Sequence, residues 1–296
     1  MKRKTGVLVG MATLACLSFS PVLCAQQTQS QQQGQQSTQQ TQPPSLNHPA
    51  GQQAQQAPAQ PAPKVDPKEE ADYKALLDMA QSPTPDVDKE IQASEDFLKN
   101  YPQSHYRAWM YSRLTNLYYQ KRDIDKMLST SAKALELNPD DVSVLVPVGW
   151  VMPRVEANAP DFPDRLAKAE QYEKHALELL PTLPKPPQTT DDQFAKSKAN
   201  AASQAHSGLG LVYFRESKYQ ESVDELQQAM QVATDTDPVD FLVLGTDLDQ
   251  LQKFADASKA YDSCAALASS LQDTCKQKSA AAKAKAASLR RTNRKS

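Results

Sequence analysis

Between residues 205 and 229, apolar and polar residues follow the pattern of two α-helices folded back on each other. The residues that recur at three- and four-residue spacing lie on one face of a first helix: His206, Leu209, Gly210 and Tyr213. After a polar break, a second helix presents Tyr219, Ser222, Val223, Leu226 and Ala229 on one face. Because Gly210 has no side chain, the pattern predicts a close crossing of the two helices. A pair this short cannot bury its apolar face alone and needs neighbours.

The same pattern recurs on both sides of this hairpin. Gly245 follows Gly210 by 35 positions, and Gly149 follows Thr115 by 34. An earlier helix closes with the phrase AKALELNP at residues 132–139. With this period and this ending, the chain resembles the tetratricopeptide repeat family, whose units are helix hairpins of about 34 residues. The resemblance implies an all-α fold, a tetratricopeptide-type α-solenoid in which the hairpins form a right-handed superhelix.

We predict that the helical repeat domain spans residues 66–272. Its first hairpin matches the repeat pattern poorly, as is common for the terminal units of such arrays. Two proline-rich insertions, at residues 153–164 and 181–190, interrupt the spacing, and the helix after the second one is longer than a repeat requires. We interpret this length as an extension, rich in Ala and Ser, that packs on the preceding unit. A break between two sub-arrays is the alternative.

The pattern of the first 65 residues predicts an export signal and a linker rather than part of the folded domain. Residues 1–25 combine a basic start with a short apolar run and end at Ala25 before a polar stretch, which is typical of a cleaved signal peptide. A retained membrane anchor is disfavoured, because the run falls short of the roughly 20 residues that span a bilayer. Residues 26–65 are rich in Gln and Pro and predict a disordered linker. We therefore expect a periplasmic or secreted protein with no integral membrane span in the mature chain.

Charge is distributed unevenly between the body of the chain and its end. The whole chain has a formal net charge of −2, yet residues 274–296 contain eight Lys or Arg and no acidic residue. The body is therefore strongly acidic, which argues against nucleic acid as a partner. For residues 273–296 we predict a basic capping helix and a disordered tail. This segment is either simply solvated or in weak contact with an acidic partner or an anionic lipid surface.

The composition gives no indication of catalytic or metal chemistry. The four histidines stand in unrelated contexts without the spacing of metal ligands. The eight glycines form neither a phosphate-binding loop nor a nucleophile elbow. The sequence therefore predicts no catalytic residue, metal or cofactor, and we expect that the protein is not an enzyme.

Two cysteines remain after the predicted signal peptide, Cys264 and Cys275. In an oxidising compartment such a pair is normally bridged, and a turn near residues 269–272 would bring the two to a similar height on adjacent helices. A bridge that closes so short a loop contributes roughly 2–3 kcal/mol when it is unstrained. We expect a disulfide that fixes the capping helix to the last repeat. Two thiols, one of them buried, are the alternative.

In the family that the chain resembles, the first helices of the hairpins line the concave face, which binds peptides or partner helices. Carried over to this sequence, that geometry predicts a partner-binding groove with six main residues: Trp109, Asn116, Tyr119, Trp150, Phe214 and Arg215. The same face also includes Ser112, Gln120, Ser143, Val146, Arg154, Gln204, Leu211, Thr246, Asp249 and Gln250. Trp and Tyr are frequent binding anchors. The alternative for each aromatic ring is that it packs between neighbouring helices.

The expected function is that of an exported scaffold that binds protein or peptide partners in the cell envelope. A structural subunit of an envelope or secretion assembly, which would use the convex face and the basic tail, is the alternative. An enzyme or a solute-binding accessory protein would require the two proline-rich insertions to build a pocket.

Overall fold

The computed structural model describes residues 66–155, 157–186, 189–233 and 235–293, which form eleven α-helices and two short 3-10 turns without any strand. The helices are α1 Pro67–Ala80, α2 Val87–Asn100, α3 Arg107–Lys121, α4 Ile124–Leu137, α5 Val142–Val151, α6 Phe162–Leu179, α7 Asp191–Arg215, α8 Tyr219–Val232, α9 Pro238–Gln250, α10 Phe254–Ala266 and α11 Gln272–Asn293. The 3-10 turns Met152–Arg154 and Leu180–Thr182 follow α5 and α6. The predicted signal peptide and linker, residues 1–25 and 26–65, lie outside the described residues.

Consecutive helices pack as hairpins, from α1 with α2 to α9 with α10. Three hairpins turn in the same way, because Arg122, Ser217 and Gln252 each have a positive φ of 58–61°. In each turn the next amide donates to the carbonyl five positions back, which is the hydrogen bond of a Schellman closure. Glycine is the usual residue at such a position. Because Arg, Ser and Gln occupy it here, the sequence gives no indication of these turns. The recurrence of one turn geometry is structural evidence of a repeat.

The apolar clusters extend from one hairpin to the next instead of staying within a single hairpin. The largest cluster of buried side chains contains Leu114 of α3, Met127 of α4, Val148 of α5, Leu166 of α6 and Leu209 of α7. Each of these five side chains is less than a tenth exposed. One continuous interior therefore runs through the second and third hairpins and into the fourth.

The long helix α7, with 25 residues, connects the two halves of the array. Around its middle, α7 buries Ala201 and Ala205 against Val146 of α5 and its neighbours. Further along, Leu209 belongs to the cluster of α3 to α7, while Leu211 belongs to the cluster formed with α8 to α11. Only Phe194 and Ala201 are buried in the first half of α7, so the predicted packing of the extension is confirmed only in part. Because α7 contributes to the clusters on both sides, no break separates two sub-arrays within the described part of the chain.

The last described helix, α11, is joined to α10 by a covalent bond. Cys264 and Cys275 form a disulfide with their Cα atoms 5.9 Å apart, and both side chains are fully buried. One turn later, the hydroxyl of Ser279 donates to Asp262 over 2.6 Å. The helix continues to Asn293.

Candidate partner-binding surface

The structure separates the six residues predicted for the groove by their exposure. Trp109 and Trp150 are buried, with exposed fractions of 6% and 8%. Asn116, Tyr119 and Phe214 are half-buried, and Arg215 is exposed. Tyr119 and Trp150 lie together, with ring centroids 6.4 Å apart in an edge-on contact. Trp109 and Phe214 belong to two other apolar clusters.

Trp109 lies in the core of the first three helices. Its ring meets Tyr73 of α1 edge-on at 5.4 Å, and Tyr73 stacks on Tyr106 at 3.6 Å. Phe97 and Met110 belong to the same core. The prediction of a groove position for Trp109 is therefore wrong, because α1 packs over that face of α3. We leave Trp109 out of the binding surface.

Trp150 supports the side chain of Arg154, which lies one helical turn further on. The guanidinium carbon is 3.6 Å from the centroid of the indole, a stacked cation–π arrangement. The guanidinium donates to the carbonyl oxygen of Trp150 at 2.7 Å and to Oγ of Ser207 at 3.0 Å. The indole Nε1 donates to the same Oγ at 3.1 Å. Ser207 of α7 thus fixes both side chains.

Two carboxyl groups from the start of α9 complete this arrangement. Asp240 accepts a hydrogen bond from Ser207 at 2.7 Å and lies 3.6 Å from the Arg154 guanidinium. Asp237 lies 3.6 Å from the same guanidinium and also caps α9. Burial, and then repulsion from Asp237, raise the pKa of Asp240 to about 7, while Arg154 opposes this. We call these residues the Trp150 cluster: Tyr119, Trp150, Arg154, Ser207, Asp237 and Asp240.

The Trp150 cluster joins the first helices of four successive hairpins, α3, α5, α7 and α9. The side chain of Arg154 remains 14% exposed and that of Asp237 28% exposed. Tyr119 beside them is half-buried. The cluster therefore presents a hydrogen-bond donor, an acceptor and an aromatic ring side by side, and the donor is held by stacking and two hydrogen bonds.

A buried carboxyl group, that of Glu173 on α6, lies near Arg154. Its side chain is fully buried, and neither oxygen has a hydrogen-bond partner among the described residues. Two glycines provide its space, since a Cβ atom on Gly149 or Gly208 would overlap the carboxyl group. Burial raises the pKa of Glu173 well above its ordinary value, and the charge of Arg154 opposes this only in part. Burial therefore favours the neutral, protonated form of this carboxyl group.

Asn116 links α3 to α5. Its Nδ2 donates to the carbonyl oxygen of Ser112 at 3.0 Å and to that of Ser143 at 3.3 Å. Both donors of the amide are used within the protein. Asn116 therefore contributes to the surface chiefly by fixing the distance between the two first helices.

Phe214 and Arg215 end α7 and have different surroundings. Phe214 packs against the apolar cluster of α7 to α11. Arg215 donates through Nε to the carbonyl oxygen of Pro153 at 3.1 Å, and its guanidinium lies 6.0 Å from the ring centroid of Phe162. The structure thus places Arg215 beside the turn that carries Arg154, whereas it does not bring Phe214 into the Trp150 cluster.

Parts of the two insertions belong to the core. Pro153 and Phe162 of the first insertion and Pro186 of the second are all buried. The described residues contain no group of three or more His, Cys, Asp or Glu placed to hold a metal ion. Among the helices described, none has the length and apolar character needed to cross a membrane.

Three hairpins have a glycine at the crossing of their two helices. A Cβ atom on Gly149, Gly210 or Gly245 would lie 2.6–2.7 Å from a side chain of the second helix, which is Glu173, Leu226 and Tyr261 in turn. Helix hairpins that recur at this period and stack into one interior are the tetratricopeptide architecture. The fold is of the tetratricopeptide type.

Comparison with known proteins finds solved structures of low sequence identity. No protein-family model and no curated protein matches the chain. TTC0263, a thermophilic tetratricopeptide protein of Thermus thermophilus, is similar at 15% identity and a TM-score of 0.42, covering 72% of this chain and 98% of that one. PilF of Pseudomonas aeruginosa is similar at 16% identity and a TM-score of 0.42, covering 66% and 73%. PilW, a type IV pilus biogenesis factor, is similar at 14% identity and a TM-score of 0.47, covering 78% and 96%.

Sequence reasoning placed Arg154 on the inner face of this tetratricopeptide array but missed its partners. Asp237 and Asp240 are an acidic cap and a first-turn acid of α9, a pattern that is equally common on exposed helices. The burial of Glu173, in contrast, is indicated by the sequence. It lies between Ala169 and Ala176 at spacings of four and three residues, so it falls on the buried stripe of α6.

Proposed function

We propose that this chain is a non-catalytic scaffold that binds a protein or peptide segment on the surface around the Trp150 cluster. The observation that carries the proposal is the guanidinium of Arg154, stacked 3.6 Å from the indole of Trp150 with 14% of its side chain accessible. Arg, Tyr and Trp are the residues that most often dominate binding energy. An arginine that is already held in place loses little conformational entropy when a ligand binds.

The polar groups of this surface suit a peptide backbone. Arg154 offers N–H donors, and the partly exposed Asp237 offers an acceptor. The half-buried ring of Tyr119 lies beside them and provides apolar area. An extended segment or a helix end, which presents both free N–H and free C=O groups, matches this arrangement.

We further propose that the scaffold works in the cell envelope or outside the cell. The pattern of residues 1–25 supports export. The disulfide between Cys264 and Cys275 supports the same location, because disulfides persist in oxidising compartments.

Site-specific photocrosslinking in the native host tests the binding surface. A photoreactive phenylalanine replaces Tyr119 in one variant and Lys168, an exposed residue of the second helix α6, in the matched control. We expect a discrete adduct from the Tyr119 variant and none from the Lys168 variant. Adding Arg154→Lys, which keeps the charge and loses the planar stacking group, should reduce the adduct yield.

Two outcomes of the photocrosslinking experiment would overturn the proposal. If both positions give the same adducts in equal yield, or if Tyr119 gives none, the surface around the Trp150 cluster does not bind a partner. Circular dichroism of each variant shows whether the helical array has remained folded.

A further inference from the structure

A shallow cleft lies between α10 and α11, away from the Trp150 cluster. Its volume is about 530 Å³. Its walls are formed by Ala255, Ser258, Lys259 and Asp262 of α10 and by Lys283, Ala286, Ala287, Arg290 and Arg291 of α11. None of these residues takes part in the binding surface proposed above, so the two sites are independent.

The cations of this cleft differ in how far they are neutralised. Lys283 pairs with Asp262 at 2.9 Å, and Lys259 forms an ion pair within α10. Arg290 and Arg291 are exposed on the last turns of α11, and neither forms an ion pair with the described residues. Two guanidinium groups at one end of the cleft are therefore available for carboxylates, which they bind in a bidentate manner.

Between these charges the cleft is lined by small side chains. Ala255, Ala286 and Ala287 each end at Cβ. The distance between packed helices depends on the side chains at their contact, so an alanine floor allows another backbone to approach closely. The cleft thus combines a narrow apolar floor with a cationic end.

A helical peptide fits this shape better than a membrane surface does. Leu289 is the one large apolar side chain that is exposed on the described part of α11, so the helix lacks an apolar face for insertion. The lysines also point in different directions, since Lys285 pairs with Asp249 of α9 at 2.6 Å and Lys283 with Asp262 of α10. A bilayer would require the cations on one convex face.

We propose that the cleft between α10 and α11 binds an acidic helical segment of a partner protein. Carboxylates of the segment pair with Arg290 and Arg291, and its small residues lie on the alanine floor. Charge complementarity supports this occupant, because α11 carries six Lys or Arg against one acid while the rest of the described chain is acidic. An acidic segment is repelled by the body and attracted to this end, which fixes where it docks.

Fluorescence anisotropy with a defined probe tests the proposal. The probe is a fluorescein-labelled peptide of about five helical turns with Glu on one face and Ala elsewhere, compared with a counterpart in which Gln replaces Glu. The full chain carries either Arg290→Glu with Arg291→Glu or, as the matched control, Lys276→Glu with Lys278→Glu. The control makes the same charge change at the other end of α11. We expect binding of the Glu peptide alone, weakened about tenfold or more by the arginine variant and less than about threefold by the control.

Several outcomes would overturn the proposal. Equal weakening in both variants would show general attraction to a basic helix rather than a site. Failure of the Glu peptide to bind, or binding only of vesicles that contain anionic phosphatidylglycerol, would exclude the acidic segment. Self-association of the chain that the arginine variant abolishes would identify a second copy as the occupant. Circular dichroism of both variants checks that α11 remains helical.

Discussion

Single residues decide how closely the helices of this array approach each other. A methyl group on Gly245 would lie 2.6 Å from two ring carbons of Tyr261. Replacing glycine by alanine inside a helix normally stabilises it by roughly 1 kcal/mol. Here the overlap forces the ring or the helix to shift, at a cost of about 1–3 kcal/mol. We predict that Gly245→Ala lowers the free energy of unfolding, measured by urea denaturation.

The matched control combines Gly245→Ala with Tyr261→Leu, which removes the ring from the contact. If the ring causes the loss, the effects of the two substitutions are not additive, and the double variant is more stable than their sum implies. A Gly245→Ala variant that is more stable than the wild type would show that this crossing is not tight.

Buried carboxyl groups make stability depend on pH in an uncommon direction. Burial raises the pKa of Asp240 and that of Asp247 from 3.8 to about 7. Between about pH 4 and pH 7 these groups bind more protons in the folded state than in the unfolded state, so their contribution is complete below about pH 4 and is lost as the pH rises to 7. Asp262, whose pKa is lowered by Ser279 and Lys283, acts in the opposite sense and only below about pH 4.

We predict that the free energy of unfolding is higher at about pH 5 than at about pH 7.5, and that Asp247→Asn reduces this difference. Raising a carboxyl pKa from 3.8 to about 7 corresponds to at most about 4 kcal/mol. Urea denaturation at the two pH values measures it. Asp262→Asn is the matched control and should leave the difference unchanged. A wild type that becomes more stable from pH 5 to pH 7.5 would contradict the assignment.

Among the helices, α11 is joined to its neighbour by a covalent bond. The disulfide joins Cys264 to Cys275, which lies 11 positions further along the chain. We predict that replacing both cysteines by serine lowers the free energy of unfolding by roughly 2–3 kcal/mol. Hydrogen exchange should accelerate most in α11 and α10, next to the lost bond, and less in α3 to α5. If mass spectrometry of the unreduced protein shows that both thiols can be alkylated, the two cysteines are not bridged and the prediction is contradicted.

Local patterns predicted most of the helices. Asp86 and Asp123 cap α2 and α4 through their side chains, a role that the residue type itself indicates. The helix α6 begins at Phe162, inside the insertion predicted for residues 153–164, because proline is tolerated in the first turn of a helix. These features depend on neighbours in sequence, which is why the sequence shows them.

The contacts of the binding surface depend instead on residues far apart in sequence. The bond between Trp150 and Ser207 joins residues 57 positions apart across an insertion. Periodicity predicts which face of a helix is apolar but not which helix covers it, so it could not tell that Tyr73 buries Trp109 while Arg154 covers Trp150. The fold was therefore more predictable than the site.

For the whole molecule, the consequence of stacking is that no hairpin is independent. The interior passes from α3 to α7, and α7 carries it into the last two hairpins. The Trp150 cluster crosses the same junction, since it draws residues from α3, α5, α7 and α9. The rigidity of Arg154 is thus a property of the assembled array and not of one repeat.

The central claim, that neighbouring hairpins share their interiors and are stable only together, is tested most directly by following urea unfolding with two signals. Both tryptophans of the chain lie in the second and third hairpins, so their fluorescence reports on those hairpins, whereas far-ultraviolet circular dichroism reports on every helix. A shared interior predicts that the two transitions have the same midpoint. A fluorescence transition clearly separated from the loss of helix would contradict it.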